Sequence, residues 1–235
     1  MLDVRGLEVL YGDFQVLWGV DMEVREGEVI CLLGPNGAGK SSILNAITGL
    51  VPRNTGSVSF ADHDLDGVPT HQIIRLGLSQ VLERRRLFPT LTVRQNLILG
   101  SFTREAKIHR EENLAWVIEL FPFLGQRTSE AAGVLSGGQQ QMVAIARGLM
   151  ARPRLLMIDE PFLGLSPMAI DEIMAVLKKI NEQGVSVLFT EQNVQLALSL
   201  SHRGYLLESG RMVLHGSGQE ILENDLVKKV YLGIH

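Results

Sequence analysis

The chain has 235 residues, of which 46% are hydrophobic and 20% charged, a balance that excludes a disordered or fibrous protein. Its 22 lysines and arginines against 26 acidic residues give a net charge of −4, so we expect no nucleic-acid partner. No apolar run approaches the ~18 residues of a membrane span, and MLDVRGLEVLYGD carries acids where a signal peptide would be basic. The single cysteine, Cys31, cannot form an internal disulfide. These features predict a soluble, cytoplasmic protein.

Apolar patterns predict the elements of the N-terminal part of the chain. LDVRGLEVLY and VLWGVDMEV favour a small antiparallel β region. VICLL (Val29–Leu33) is apolar throughout, which is typical of a central strand covered on both faces. A glycine-rich segment follows it, then a predicted helix, and then SVSF, a predicted strand. The apolar residues at helical spacing are Ile43, Leu44, Ile47 and Leu50.

The middle of the chain, from about Ile73 to Gly138, has a helical pattern. LTVRQNLILG and NLAWVIELFPFL show the periodicity of amphipathic helices, and the charged TREAKIHREEN between them is typical of a solvated segment. We therefore expect an inserted α-helical subdomain over approximately residues 73–138, ending in the LSGGQ motif described below. Residues 1–72 and 139–235 would form the core, so that 1–235 is one domain.

Strands and helices alternate again in the remainder of the chain. QQQMVAIARGLMA predicts a helix, RLLMID a strand, and the segment after Ser166-Pro167 a helix that ends before Gly184. VSVLFT, NVQLALSLS and YLLESGRMVLHGSG predict a strand, a helix and a hairpin around Ser209-Gly210. This alternation predicts an α/β fold with a mostly parallel sheet.

A phosphate-binding loop is the clearest motif. Gly34–Ser41 matches G-x-x-x-x-G-K-[ST] between a predicted buried strand and a predicted helix. Glycines let backbone N–H groups surround phosphate oxygens, and the helix N-terminus adds partial positive charge. Lys40 would contact the β- and γ-phosphates, and the Ser41 hydroxyl would ligate Mg²⁺. By itself the motif does not separate a kinase, a GTPase and a mechanical ATPase. The predicted nucleotide-binding residues of this region are Asn36, Gly37, Ala38, Gly39, Lys40, Ser41 and Ser42.

Two adjacent acids follow the predicted strand RLLMI. Carboxylates at the carboxyl end of a strand stand where open α/β sheets bind their ligands. Asp159 would hold Mg²⁺, and Glu160 would act as the general base that polarises the attacking water. The alternative is a pair of solvated acids in a turn, and the phosphate loop upstream favours the catalytic interpretation.

The LSGGQ motif distinguishes between the kinase, the GTPase and the mechanical ATPase that the phosphate loop leaves open. Ser136, followed by two glycines and a helix, has the form of a second anion site, because it offers a hydroxyl, exposed amides and a helix dipole. Since Gly34–Ser41 already serves one triphosphate, a second such site suggests ATP clamped between two surfaces. The simpler alternative is a helix with Ser136 as its N-cap.

LSGGQ ahead of the acidic strand, with the phosphate loop about a hundred residues upstream, resembles the nucleotide-binding domain of ABC transporters over essentially the whole chain. The resemblance implies a P-loop ATPase core with a mostly parallel sheet, an N-terminal antiparallel β region and an inserted α-helical subdomain. In that family two domains pair head to tail, and the LSGGQ of one completes the ATP site of the other. It further implies that Tyr11 stacks on adenine. The residues implied to contact the partner domain's nucleotide are Ser136, Gly137, Gly138 and Gln139.

The same resemblance implies partners and a location. We expect membrane permease subunits, a second ATPase subunit that is identical or a paralogue, and a substrate-binding protein that acts indirectly. The chain would lie at the cytoplasmic face of the cell membrane as a peripheral subunit. Its cofactors would be ATP and Mg²⁺.

Several positions depart from the commonest pattern of this family. A glutamine that contacts Mg²⁺ usually precedes the LFP-type stretch, and here that place falls on Glu83, with Gln80 as the alternative. Gln192 stands where a histidine usually contacts the γ-phosphate. We expect Gln192 to take this catalytic role as a hydrogen-bond donor that, unlike histidine, cannot become cationic. Arg84 stands where related sequences often carry glycine.

These departures, together with ERRRLFP, PFLGLSP, TEQN and VYLG, resemble the ATPase subunits of branched-chain amino-acid importers, the LivF type. The resemblance implies an ATPase that energises uptake of branched-chain amino acids. Urea, short-amide and other amino-acid importers have similar subunits, so these remain alternatives. A non-transport ABC-type mechanical ATPase is less favoured, because the chain has neither a long coiled-coil insertion nor a second cassette. A P-loop kinase or a nucleotide-gated scaffold would leave LSGGQ and the acidic pair unexplained.

Overall fold

A computed structural model describes residues 1–231, without the side chains of Leu226 and Val230. Leu232 and Gly233, which complete the VYLG stretch, lie outside the described residues. The chain forms two compact units, one made of Met1–Ile73 with the segment from Ser186 onward, the other of Ile74–Val185. Within residues 1–231, no helix combines the length and apolar character needed to cross a membrane.

Ten strands and eleven α-helices cover most of the described chain. The strands are β1 (Leu2–Tyr11), β2 (Phe14–Val24), β3 (Val29–Leu33), β4 (Thr55–Phe60), β5 (His63–Asp64), β6 (Leu78–Val81), β7 (Leu155–Ile158), β8 (Ser186–Glu191), β9 (Arg203–Glu208) and β10 (Arg211–Ser217). The helices are α1 (Lys40–Ile47), α2 (Thr70–Ile73), α3 (Val93–Leu99), α4 (Arg104–Ile108), α5 (Arg110–Leu120), α6 (Pro122–Gln126), α7 (Gly137–Leu149), α8 (Pro167–Glu182), α9 (Val194–Leu200), α10 (Gly218–Glu223) and α11 (Asp225–Tyr231).

The first unit contains an antiparallel sheet in the order β2-β1-β4-β5 and a group of strands in the order β10-β9-β3-β8. In this second group β3 runs parallel to both β8 and β9, and β9 and β10 form the predicted hairpin. Every residue of β3 and β8 is buried, as the apolar VICLL predicts. The mixed arrangement of parallel strands, an antiparallel N-terminal sheet and helices confirms the predicted α/β class.

The second unit is mainly helical but contains a pair of parallel strands. β6 pairs with β7 in the register Leu78↔Leu155 to Val81↔Ile158. The helical pattern expected from about Ile73 to Gly138 therefore missed β6. β6 reads LSQV, and four residues with apolar side chains only at the two ends are too few to show the period of a strand or of a helix.

Helix α1 is shorter than its apolar spacing predicts. It ends at Ile47, and Leu50 is half exposed rather than part of a buried face. Gly49 adopts a φ of +68°, a left-handed conformation that stops the helix and that glycine adopts without steric cost.

An ion pair joins the start of β3 to the start of β9. The Arg203 guanidinium donates to both carboxylate oxygens of Glu28, with an Nη2–Oε2 distance of 2.9 Å. Burial alone would raise the pKa of Glu28, but the hydrogen bonds from Arg203 and from the Arg25 N–H outweigh it, so the pKa is lowered. The ionised form of Glu28 is therefore the form that stabilises the fold.

We predict that Glu28→Gln destabilises the protein at neutral pH by about 1.5–3 kcal/mol, the usual range for a hydrogen bond to a charged group. Because the folded pKa is lowered, this contribution is present above the unfolded pKa, near 4.5, and is lost as pH falls through the folded value. Urea unfolding of wild type and variant at falling pH should show the difference shrinking below pH ~4. Glu172→Gln, on the exposed face of α8, should leave stability nearly unchanged. A pH-independent difference for Glu28→Gln would contradict the assignment.

Candidate functional site

The loop between β3 and α1 wraps tightly because it lacks side chains at critical points. Gly34 has a φ of +154°, and a Cβ there would lie 2.3 Å from the Leu207 carbonyl oxygen. Gly39 has a φ of +107°, and a Cβ there would lie 2.7 Å from Leu17 Cδ2. Any side chain at either place would force the loop outward. The glycines predicted from the motif are thus required by packing within the first unit.

Lys40 lies beneath this loop and is only 4% exposed. Its ammonium donates to the carbonyl oxygens of Gly34 and Pro35, at Nζ–O distances of 2.8 and 3.1 Å. The first turn of α1 contains no acidic residue, and Gly39 at its N-cap supplies no side-chain cap. A buried cation, a helix N-terminus and a loop closed to side chains together suit a phosphate-bearing ligand.

The end of β8 is placed beside the same loop by strand register. Leu33 pairs with Glu191, so the residue after Glu191 stands next to the start of the loop. Gln192 Nε2 donates to Asn36 Oδ1 at 2.7 Å. Glu191 is buried, and its Oε2 accepts the N–H groups of Gln192 and Asn193 at 2.6 and 2.9 Å. Glu191, which the sequence did not single out, therefore positions Gln192 against the loop.

Two exposed aromatic side chains stand at the tip of the β1–β2 hairpin. Tyr11 is 47% exposed, and its hydroxyl lies 3.3 Å from Ser42 Oγ in α1. Phe14, its cross-strand partner, is 73% exposed. Tyr11 thus lies next to the predicted phosphate loop, as a base-stacking residue would. The sequence did not single out Phe14, the aromatic residue of DFQV across the turn.

In the second unit, Asp159 and Glu160 stand at the end of β7. Asp159 is 3% exposed, and its N–H donates to the Val81 carbonyl, which continues the β6–β7 pairing by one residue. Glu160 has a φ of +47°, an uncommon conformation for a residue with a side chain. The backbone turns away from the strand direction at this residue. Strained backbone of this kind is concentrated at functional sites.

Ser136 caps helix α7 through a reciprocal pair of hydrogen bonds. Ser136 Oγ accepts the Gln139 N–H at 3.3 Å, and Gln139 Oε1 accepts the Ser136 N–H at 3.1 Å. The capping interpretation is therefore confirmed, and the contact with a partner's nucleotide stays a prediction. Gly138 has a packing reason, because a Cβ there would lie 2.6 Å from Ala169 Cβ in α8.

The segment after β6 has an unusual backbone. Arg84, Arg85 and Arg86 have φ angles of +61°, +64° and +45° in succession. The Arg85 carbonyl accepts from Arg147 Nη2 at 3.3 Å, which ties this segment to α7. Glu83 lies 3.3 Å from Arg84 Nε, and Gln80 lies on β6. Neither is established as the Mg²⁺-contacting residue, so Glu83 stays the prediction and Gln80 its alternative.

Within the first unit, the structure brings together the phosphate loop, Gln192 and Tyr11. Within the second, it places Asp159 and Glu160 at the end of β7 and LSGGQ at the start of α7. Hydroxyl and carboxylate oxygens, as supplied by Ser41 and Asp159, are the ligand types that Mg²⁺ prefers. Each unit, taken by itself, therefore carries a side chain of a type that fits Mg²⁺.

Comparison with known proteins identifies the family. The model of the ABC transporter family matches residues 17–163. A branched-chain amino-acid transport ATP-binding protein, BraG of Pseudomonas aeruginosa, is 42% identical over 233 residues, covering 99% of this chain and 100% of BraG. The chain belongs to the ABC transporter ATP-binding family. As a member, it is an ATP-hydrolysing subunit of a transporter, which confirms both the resemblance and the predicted activity.

Two further relatives of this ABC ATPase differ from each other in the cargo that their names give. The lipopolysaccharide export ATP-binding protein LptB of Escherichia coli is 34% identical over 99% of this chain and 97% of its own length. A probable branched-chain amino-acid transport ATP-binding protein, LivF of Archaeoglobus fulgidus, is 34% identical over 100% of this chain and 99% of its own length.

Solved cassettes agree with the fold. A nucleotide-free ATP-binding cassette of an ABC transporter superimposes with a TM-score of 0.88 at 25% identity, covering 98% of both chains. A dimeric cassette bound to ADP and Pi superimposes with a TM-score of 0.79 at 26% identity, covering 92% of this chain and 98% of the cassette.

The left-handed arginines generate a prediction about Arg84. A left-handed conformation costs a residue with a Cβ roughly 1–2 kcal/mol, which glycine avoids. Arg84→Gly should therefore be more stable than Arg84→Ala by about 1 kcal/mol, as measured by urea unfolding. At Arg127, where φ is −122°, the order should reverse, with alanine the more stable replacement. If Arg84→Gly were less stable than Arg84→Ala, the left-handed backbone at residue 84 would not be strained.

Proposed function

We propose that this ABC ATPase energises the uptake of branched-chain amino acids through a membrane permease. The end-to-end match with BraG at 42% identity carries the proposal, since LptB matches the same length at only 34%. The features that departed from the commonest family pattern, including Gln192 in TEQN, point to the same group. Other amino-acid, urea or short-amide transport is the alternative.

In the proposed mechanism the first unit binds the nucleotide. Lys40 and the amides around Gly37–Gly39 hold the phosphates, and Tyr11 stacks on adenine, a contact worth roughly 1–3 kcal/mol. Gln192 donates to the γ-phosphate. Because an amide does not titrate, Gln192 would offer the γ-phosphate the same neutral donor at every pH, unlike a histidine.

The second unit supplies the groups that act on water and metal. Glu160 is the general base, held by its left-handed backbone at the end of β7. Ser41 of the first unit and Asp159 would hold Mg²⁺, with Glu83, or alternatively Gln80, as a further ligand. When bound, Mg²⁺ would neutralise charge that develops on the phosphate oxygens.

Two such subunits, identical or paralogous, would clamp ATP between the phosphate loop of one and LSGGQ of the other. The dimeric cassette among the structural neighbours supports this arrangement. Ser136 is exposed at the start of α7 and so is available to a second subunit. The chain would then work at the cytoplasmic face of the membrane, with a substrate-binding protein acting through the permease.

An apolar groove in the second unit suits the permease. Its cavity of about 340 Å³ is lined by residues of β6, α3 and α7, including Gln80. Four apolar lining side chains are 36–52% exposed, an uncommon concentration for a surface that stays in water. These are Leu82, Phe88, Leu99 and Phe102.

Glu160→Gln tests the catalytic assignment. Removal of general-base help should slow ATP hydrolysis by roughly 10²–10⁴-fold while ATP still binds. ATP should then hold two subunits together, so that sedimentation shows a dimer with ATP and a monomer without it. Glu182→Gln, an exposed carboxylate at the end of α8, should hydrolyse ATP like wild type. Hydrolysis by Glu160→Gln at a rate close to that of wild type would show that Glu160 is not the general base.

The cargo is tested in the assembled transporter. Permease, binding protein and this subunit, copurified and placed in lipid vesicles, should hydrolyse ATP faster with leucine, isoleucine or valine than with urea or without solute. Stimulation by urea but by none of the three amino acids would overturn the proposed cargo. The ATPase assignment would remain, because family membership carries it.

A further inference from the structure

A second cavity in the Ile74–Val185 unit has a strongly basic lining. Its volume is about 520 Å³, within the ~300–1,000 Å³ of small-molecule sites. Among the described residues that line it, Glu105 is the one acid, although the chain as a whole carries a net charge of −4. The basic side chains are Arg75, Arg104, His109, Arg152 and Arg154. We call this the arginine cavity.

Arg152 is fixed in the arginine cavity by several contacts. Its Nε donates to Asn113 Oδ1 at 2.8 Å, and its guanidinium carbon lies 4.0 Å from the centre of the Trp116 ring. Asn113 is 2% exposed and donates in turn to the Met150 carbonyl at 3.1 Å. Arg152 also has a left-handed φ of +51°. Glu112 lies beside it, with Oε1 3.8 Å from Arg152 Nη2 and Oε2 3.2 Å from His109 Nδ1. The guanidinium is therefore held before any ligand arrives, and Glu112 offsets part of its charge.

Arg154 is placed by a close backbone approach. Its N–H donates to the Gly77 carbonyl at 2.7 Å, and a Cβ at Gly77 would lie 3.1 Å from Arg154 Cγ. The aliphatic part of Arg154 thus lies across Gly77, whose φ is +96°. Arg75, two residues before Gly77, also lines the cavity and is exposed.

We propose that the arginine cavity binds a phosphate group carrying at least two negative charges. Guanidinium groups match phosphate oxygens in paired hydrogen bonds, and several of them offset more than one charge. Leu76, Ala106 and Ala151 supply apolar lining, so the carbon part of a small organic phosphate also fits. No residue of this cavity belongs to the phosphate loop, to LSGGQ or to the acidic pair.

The position of the cavity links it to the signature helix. Arg152 follows α7 by three residues, whereas Ser136 caps the other end. Thirteen residues at ~1.5 Å each separate the two ends by about 20 Å. A ligand in the arginine cavity therefore contacts the segment that fixes the far end of the helix carrying LSGGQ.

Tryptophan fluorescence can report binding directly. The chain has two tryptophans, Trp18 and Trp116, so Trp18→Phe leaves Trp116, which stacks on Arg152, as the one reporter. In Mg²⁺-free, low-salt buffer without nucleotide, which would itself compete for the cavity, added pyrophosphate should change this fluorescence saturably. Charge-neutral Arg75→Gln/Arg154→Gln in the same background should raise the dissociation constant about tenfold or more.

Arg127→Gln is the matched control, because Arg127 belongs to the same unit, pairs with Glu130 and does not line the cavity. It should bind pyrophosphate like the parent. Retained ADP binding and an unchanged circular dichroism spectrum would show that the double variant is folded. No fluorescence change at millimolar pyrophosphate, or equal affinity in the double variant and the parent, would overturn the proposal.

The same assay identifies the source of the phosphate. Tighter binding of ribose 5-phosphate than of inorganic phosphate supports a small organic phosphate as the ligand. Equal binding of the two supports free phosphate, recognised by its charge alone.

Discussion

The burial of one ammonium group, that of Lys40, is the interaction on which the nucleotide site depends. A cation removed from water costs several kcal/mol unless other groups compensate it. The Gly34 and Pro35 carbonyls offset part of that cost and bend the loop around the charge. A cation at the N-terminus of α1 makes an anion the natural ligand of the loop.

Strand register connects the loop to its neighbours. β3 carries the loop at its carboxyl end, and its parallel pairing with β8 and β9 sets what stands beside it. The pairing Leu33↔Glu191 delivers Gln192 to Asn36, and the Leu207 carbonyl following the paired part of β9 excludes a side chain at Gly34. A shift of register by one residue would disrupt all of these contacts together.

Sequence patterns predicted those features that depend on long apolar runs or on fixed motifs. VICLL, VSVLFT and the Gly34–Ser41 motif are examples, because full burial and glycine spacing are visible in the letters. β6 was not predicted, since four residues show no period. The three left-handed arginines were not predicted either: backbone conformation there is set by contacts such as Arg147 with the Arg85 carbonyl, which lie 62 residues apart. The arginine cavity likewise collects residues from separate segments.

The capping box at Ser136 has a consequence for the proposed pairing of two subunits through LSGGQ. The Ser136 hydroxyl already accepts the Gln139 N–H, so a phosphate that recruits Ser136 competes with the end of its own helix. Loss of a cap costs roughly 0.5–2 kcal/mol. Each engaged signature would then carry a small restoring tendency, and the helix would regain its cap once the γ-phosphate is gone. Recovery of the Ser136 cap would thus favour release of the contact between the two subunits.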